Sequence, residues 1–445
     1  YALMADMYLN SKNYQGALAA LEEVQHPNAK IEQTMQYLRY QMTADSYLQG
    51  KMSETLKWCE QVISHSKQTD KYLTEAYYLS AEAYYHMHQY DQVLAQLKAY
   101  EAQPDFAQSQ NKNAAQYLKA YTYFNQKSYA NAQPLYTAYA NVVEHKDKTY
   151  PDALNRIGDC HFYSREFKEA IQAYAQVAEI GGSGADYALL QKAYAEGLMH
   201  QYDQKVKTLS KLVEDYPRSD MADDALYEMA RAQLQLNEYA AAITIYAKLL
   251  SNYPHSNKGA KSSLELGMTH RTLKAYDEAL KAFKQTIEKY PATEEAYSAL
   301  DGMEQIYVET NNIEEYIAYT KTLSKMKMQS STSEDSLTYV TGELQYMMGN
   351  YQQAAAGLTT YLTRFCPGGR YCVNAMHYAA NSYYQLKQYE DALEQYSALA
   401  DIQGNPYMEE ACMRVAELSY DKQEYRTAQY YFQRMYSVAS NSQMR

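Results

Sequence analysis

The sequence predicts an all-α solenoid, a stack of about twelve helical hairpins with no strands. Three observations carry this. Glycine and proline are scarce, 16 and 9 in 445 residues, which leaves too few turn formers for a β-rich chain. An aromatic residue followed three places later by a small one recurs at a period of roughly 35–39 residues. Every strong copy also sits in the same frame of small and large residues, so the period belongs to a structural unit.

The strong copies, in order, are Tyr14/Ala17, Tyr90/Val93, Tyr129/Ala132, Phe167/Ala170, Tyr239/Ala242, Tyr276/Ala279, Tyr351/Ala354, Tyr389/Ala392 and Tyr425/Ala428. Weaker copies fill the gaps at Met52/Thr55, Tyr202/Lys205 and Ile313/Tyr316. Twelve positions before the small marker stands another small residue: Ala5, Ala81, Ala120, Gly158, Ala230, Gly267, Gly342, Ala380 or Ala416. Four positions after it stands a large one, such as Tyr174, Tyr246, Phe283 or Tyr396. This is the pattern of two antiparallel helices, A and B. Small side chains let the backbones approach, and the large one fills the space a turn later. Short links such as Leu236-Asn237-Glu238 and Leu273-Lys274-Ala275 join the pair. Bulky or charged residues at Lys205 and Tyr316 predict irregular packing in those two hairpins.

Charge narrows the function classes. With 41 basic against 53 acidic residues the net charge is −12, the wrong balance for phosphate contacts along nucleic acid. No polybasic segment suits an anionic lipid surface, and no apolar run approaches the ~20 residues of a membrane span. A hydrophobic share of 47% supplies a full core and excludes wholesale disorder.

With these markers the chain resembles a tetratricopeptide repeat protein, whose units carry an early small residue, an aromatic-x-x-Ala opening and a closing Pro. Tyr239-Ala-Ala-Ala242 with Tyr246 and Pro254, and Tyr276-Asp-Glu-Ala279 with Phe283 and Pro291, match best. The resemblance implies a right-handed α-solenoid that binds peptides or protein segments on its concave helix-A face. The period exceeds the family's usual length, and its early Trp is missing. The RNA-binding pentatricopeptide repeats and the glycine-rich Sel1 type fit the charge and the glycine count less well.

Three junctions read Tyr216-Pro217-Arg218-Ser219, Tyr253-Pro254-His255-Ser256 and Tyr290-Pro291-Ala292-Thr293. Pro ends one helix, and the hydroxyl residue caps the next. Such junctions are similar to those of Gram-negative envelope members of the family, the outer-membrane assembly lipoprotein and the Tol–Pal coordinator. This similarity implies a periplasmic or outer-membrane-associated location, with a cytoplasmic one as the alternative. Cys366 and Cys372 bracket a Pro-Gly-Gly turn and can meet as a disulfide in an oxidising compartment; two reduced thiols are the other reading. Cys59, Cys160 and Cys412 read as small buried hydrophobes.

Nucleotide, hydrolase and metalloprotease motifs are absent, so neither catalysis nor a cofactor is expected, and no residue set has metal-ligand spacing. Asp223-Asp224 reads as a helix opening that favours the dipole. Eight residues before the marker stand the candidate groove residues Tyr85, Phe124, Phe162, Leu234, Arg271, Tyr346, Tyr384 and Tyr420, with Arg231 and Lys261 nearby in register. Rings there offer rigid plates to a peptide, or else pack between adjacent A helices as core. The clamp by which some family members hold a chaperone's terminal carboxylate is incomplete. Asn381 is present, but His377 and Glu410 stand where Lys is needed.

A polar joint at 326–336 is expected to separate a repeat segment over 1–325 from one over 337–445. The function expected is a non-catalytic envelope scaffold for protein partners, or alternatively a regulatory or substrate-binding module of a longer enzyme or signalling protein. Tyr1 falls inside a helix A, and the last helix B has no polar cap. More chain, or a partner, is therefore expected at both ends.

Overall fold

Every helix B begins on the residue that marks its repeat. A computed structural model describes residues 2–66, 71–291, 293–323 and 333–438, and their regular structure is entirely helical. Contacts divide the chain into two compact units, Tyr1–Leu236 and Asn237–Arg445.

In the first unit the A and B helices alternate as α1 (Ala2–Asn10), α2 (Tyr14–Glu22), α3 (Ala29–Leu48), α4 (Met52–His65), α5 (Lys71–His86) and α6 (Tyr90–Glu101). They continue as α7 (Lys112–Asn125), α8 (Tyr129–Ala140), α9 (Thr149–Tyr163), α10 (Phe167–Ile180), α11 (Ala185–Leu198), α12 (Tyr202–Asp215) and α13 (Ala222–Gln235). The second unit opens with α14 (Tyr239–Asn252), then α15 (Gly259–Thr272), α16 (Tyr276–Lys289), α17 (Glu294–Glu309) and α18 (Ile313–Leu323). It closes with α19 (Glu334–Met347), α20 (Tyr351–Phe365), α21 (Cys372–Gln385), α22 (Tyr389–Asp401), α23 (Met408–Asp421) and α24 (Tyr425–Val438). Residues 326–332 of the expected joint lie outside the described residues. Ser333 caps α19 by accepting from the Ser336 amide (3.3 Å), so 334–336 already belong to a helix.

The turn from A to B has the same backbone handedness each time. Two residues before helix B the backbone is left-handed, at Gly50 and Gly349 but also at Lys12, His88, Lys127, Arg165, His200, Asn237, Lys274, Asn311, Lys387 and Gln423. At eleven of these turns the next amide reaches back five residues, as from Gln89 to Tyr84 and from Gln388 to Tyr383 (2.9 Å each), closing a Schellman motif. A side chain in this conformation costs about 1 kcal/mol against glycine. A cation there faces the negative end of helix A, which offsets part of that cost. His88 therefore leaves the helix at this turn, and His86 and His88 share no helical face.

Packing follows the small-and-large frame. A Cβ on Gly158 would fall 2.5 Å from the Tyr174 ring, one on Gly267 2.5 Å from Phe283, and one on Gly342 2.7 Å from Leu358. Tyr136, Tyr174, Tyr246, Phe283, Leu358 and Tyr396 are fully buried, each gaining roughly 2–3 kcal/mol from the area removed from water. Lys205 and Tyr316 are buried as well. α12 keeps the 14 residues of its neighbours despite Lys205. At the junctions Thr293 caps α17 through the Ala296 amide (3.2 Å), while Ser219 and Ser256 accept from amides two residues on. Ser219 also donates to Asp186 on α11, tying one repeat to the one before (2.6 Å).

Candidate functional site

Six predicted groove rings lie at the C-terminal end of their A helices, packed against the aromatic that opens helix B. The pairs are Tyr85–Tyr90, Phe124–Tyr129, Phe162–Phe167, Tyr346–Tyr351, Tyr384–Tyr389 and Tyr420–Tyr425, with centroids 5.5–6.0 Å apart. Several also touch the following A helix. Tyr85 accepts from Asn125 (2.9 Å), Phe124 meets Tyr163 edge-on, and Tyr346 lies 4.9 Å from Tyr378. Tyr420 is exposed, and the other five are half-buried. Leu234 and Arg271 hold the same position half-buried, and Lys261 is exposed. Arg231 is exposed too, over the Tyr227 ring and 3.2 Å from Glu228.

In the first unit the A helices also bring together groups that sequence reasoning passed over. Asp152, Arg156 and Asp159 are spaced by four and three on α9, so they share one face. Asp152 accepts hydroxyl bonds from Tyr117 and Tyr121 of α7. Arg156 binds Asp159 through Nη1 (2.5 Å), and its guanidinium lies 5.4–6.0 Å from the rings of Tyr121, Phe124 and Tyr187. Asp159 accepts from Tyr174 (2.7 Å) and Tyr187 (2.8 Å). Burial, and then Asp152, raises the phenols of Tyr117 and Tyr121 far above the ordinary range, so both stay protonated donors. Burial raises the Asp159 carboxyl while Arg156 pulls it down. Nearer the N-terminus Glu82 takes hydroxyls from Tyr78 (2.5 Å) and Tyr47 (3.5 Å). Near the end of the unit Lys205 reaches across to Glu228 on α13 (2.5 Å), with Gly197 leaving room for its stem.

A second group lies on α21 and α23. His377 stacks flat on Tyr407 (3.8 Å, 8°), with Nδ1 3.7 Å from Glu410. Asn381 is 3.2 Å from the His377 ring and accepts from Tyr396 (2.6 Å). A terminal carboxylate would therefore meet Glu410, which repels it, where a clamp needs a cation. Arg414 sits 4.5 Å from the Tyr384 ring centroid and pairs with Glu417 (2.9 Å). Among the described residues no three His, Cys, Asp or Glu side chains are grouped to hold a metal. No described helix is long and apolar enough to cross a membrane.

The repeat register held the signal for both groups. Fourteen residues before the marker stand Arg156 and Arg414, and eleven before it stand Glu82, Asp159, Asn381 and Glu417.

An all-helical stack with Tyr, Arg and carboxylate side chains arrayed along successive A helices is the anatomy of a helical-repeat interaction protein. Part of the chain matches tetratricopeptide repeats. Models of that repeat family match residues 187–219, 224–256 and 261–293, and also 339–407. The solved C-terminal part of a repeat protein from Cytophaga hutchinsonii is 16% identical over 59% of this chain and 99% of its own, with a TM-score of 0.50. A tetratricopeptide repeat protein from Parabacteroides merdae is 15% identical over 61% of this chain and 98% of its own, with a TM-score of 0.36. PilF of Pseudomonas aeruginosa is 17% identical over 50% of this chain and 94% of its own, with a TM-score of 0.35. Likeness at such identities extends to the fold alone. No curated protein matches the sequence.

Proposed function

We propose that the protein is a non-catalytic scaffold of the bacterial cell envelope that holds segments of other proteins against its helix-A faces. Its repeats are of a type that generally serves protein–protein interaction. The observation that carries the reading is the α9 face, where Tyr117 and Tyr121 hold Asp152, and the buried Asp159, held by Tyr174 and Tyr187, fixes the half-buried Arg156. Tyr and Arg anchor interfaces, and groups already fixed by such bonds lose little entropy when a partner arrives. The envelope part is supported by the junction similarity and by the Cys366–Cys372 disulfide, a bond that persists in oxidising compartments.

Photo-crosslinking tests the scaffold. A crosslinker at the exposed helix-A positions Tyr163 or Tyr420 should capture a discrete partner in native cells, and one at the helix-B position Thr244 should not. Capture at Thr244 alone would overturn the helix-A assignment. Fractionation tests the compartment separately, and recovery in the cytosol would end the envelope reading while leaving the scaffold standing.

A further inference from the structure

The five cysteines fall into two classes. Cys59, Cys160 and Cys412 are single, free and at most 1% exposed, and burial pushes the Cys59 and Cys160 thiols up to about 12. None is presented to a thiol reagent. Cys366 and Cys372 are bonded to each other, with Cα atoms 5.7 Å apart, across the turn from α20 to α21.

The two sulfurs of this bond differ in access and in what lies behind them. Cys366 follows the last residue of α20 and is half-buried, at the edge of the same small core. Cys372 is the first residue of α21 and only 9% exposed, packed in a core with Tyr339, Tyr361 and Ala375. Cys366 is therefore the more accessible of the two to an incoming thiolate. The sulfur that must leave stands at a helix N-terminus, where unpaired amides favour a thiolate and offset the cost of its burial.

The turn has contacts of its own beside the bond. The Gly369 amide donates to the Phe365 carbonyl (2.6 Å), Tyr371 to the Tyr361 hydroxyl (2.9 Å), and Arg370 to Asp335 (3.2 Å). Tyr371 also lies flat on Tyr339 at 4.4 Å. These contacts hold the thiols near each other after reduction, which a reversible couple requires.

We propose that Cys366–Cys372 is a thiol–disulfide exchange site, at which one thiolate of a dithiol partner attacks Cys366 and displaces Cys372. The partner's sulfur bonds to Cys366 Sγ as the Cys366–Cys372 bond breaks. The electron pair goes to Cys372 Sγ, which then takes a proton from water. The partner's second thiolate attacks its own bonded sulfur and releases Cys366 as a thiolate, which is protonated in turn. Two electrons pass to the pair, and the partner leaves as a disulfide.

The full chain, purified without reductant, is treated with limiting glutathione, then with an alkylating agent and trypsin. Cleavage after Arg364 and Arg370 separates the two cysteines onto different peptides. The glutathione adduct should lie on the Phe365–Arg370 peptide in about ten-fold excess over the peptide that carries Cys372. Dithiothreitol should then reduce the bond with helix content unchanged, and oxidation should restore it. In the single variants, the thiol left in Cys372→Ser should react with a chromogenic disulfide much faster than that in Cys366→Ser. Equal adducts, exchange only after unfolding, or five free thiols in untreated protein would each overturn the proposal. None of these outcomes bears on partner capture at the helix-A face.

Discussion

Hairpins α15/α16 and α17/α18 occupy the same repeat frame and settle its tightest contact in opposite ways. In the first, Gly267 gives up its side chain so that the Phe283 ring can lie against the α15 backbone. In the second, the small marker is replaced by Tyr316 and the small helix-A residue by Glu304. The Tyr316 ring is fully buried, and its hydroxyl donates to Glu304 at 3.1 Å. In the first unit Lys205 gives a third solution, sending its charge through the hairpin to Glu228 while Ala193 keeps the helix-A slot small. The frame therefore specifies a volume and a satisfied polar end, and leaves the residue type open.

The largest effect should come from breaking the polar solution. Glu228→Ala leaves the Lys205 ammonium buried without its carboxylate and should cost about 3 kcal/mol in urea unfolding. Lys205→Met should be close to neutral, because it removes the charge together with its need for a partner. A loss as large from Lys205→Met would mean that the ion pair itself stabilises the hairpin.

Breaking the apolar solution comes next. Gly267→Val sets a side chain 2.5 Å from the Phe283 ring and should cost about 2–3 kcal/mol. Shrinking the ring with Phe283→Leu in that background should recover part of it. An unchanged midpoint for Gly267→Val would show that the two helices can part freely, against the close packing seen here.

Tyr316→Phe should cost about 1 kcal/mol, the net worth of one hydrogen bond. A loss several times larger would make Glu304, rather than ring volume, the anchor of α18.

The smallest effect is a pH slope at α21. Burial lowers the His377 imidazole below its ordinary range, against the pull of Glu410. The unfolded chain therefore takes up this proton more readily than the folded one. The stability from a neutral His377 is full above about pH 6.5 and is lost as pH falls through the lower, folded value. Urea midpoints between about pH 7.5 and 5.5 should fall for the parent protein and fall less for His377→Gln. Parallel slopes would remove His377 from this role.

The helix-A positions of the candidate groove rings show where the sequence was legible. Tyr85, Phe124 and Tyr384 were found because their period is strict, and each lies at the end of helix A where the register put it. What they pack against is a different matter: each rests on the ring five residues later in its own hairpin. That contact forms only because the left-handed residue between them reverses the chain. Nothing in Lys127 or Lys387 announces that conformation, since lysine usually avoids it.

Taken alone, the sequence determined what repeats within one hairpin: the residue at which each helix B opens, and the small-and-large contact between A and B. Such features rest on periodicity and on side-chain volume, which a single chain displays directly. Only the tertiary structure decided that Tyr117 and Tyr121 serve Asp152 while Tyr174 and Tyr187 serve Asp159. The same holds for Lys205, which takes its partner from the next A helix. These partners stand 15 to 35 residues apart. Pairing at that range depends on how far one helix is shifted and turned against the next, a geometry of a few ångströms that no residue pattern encodes.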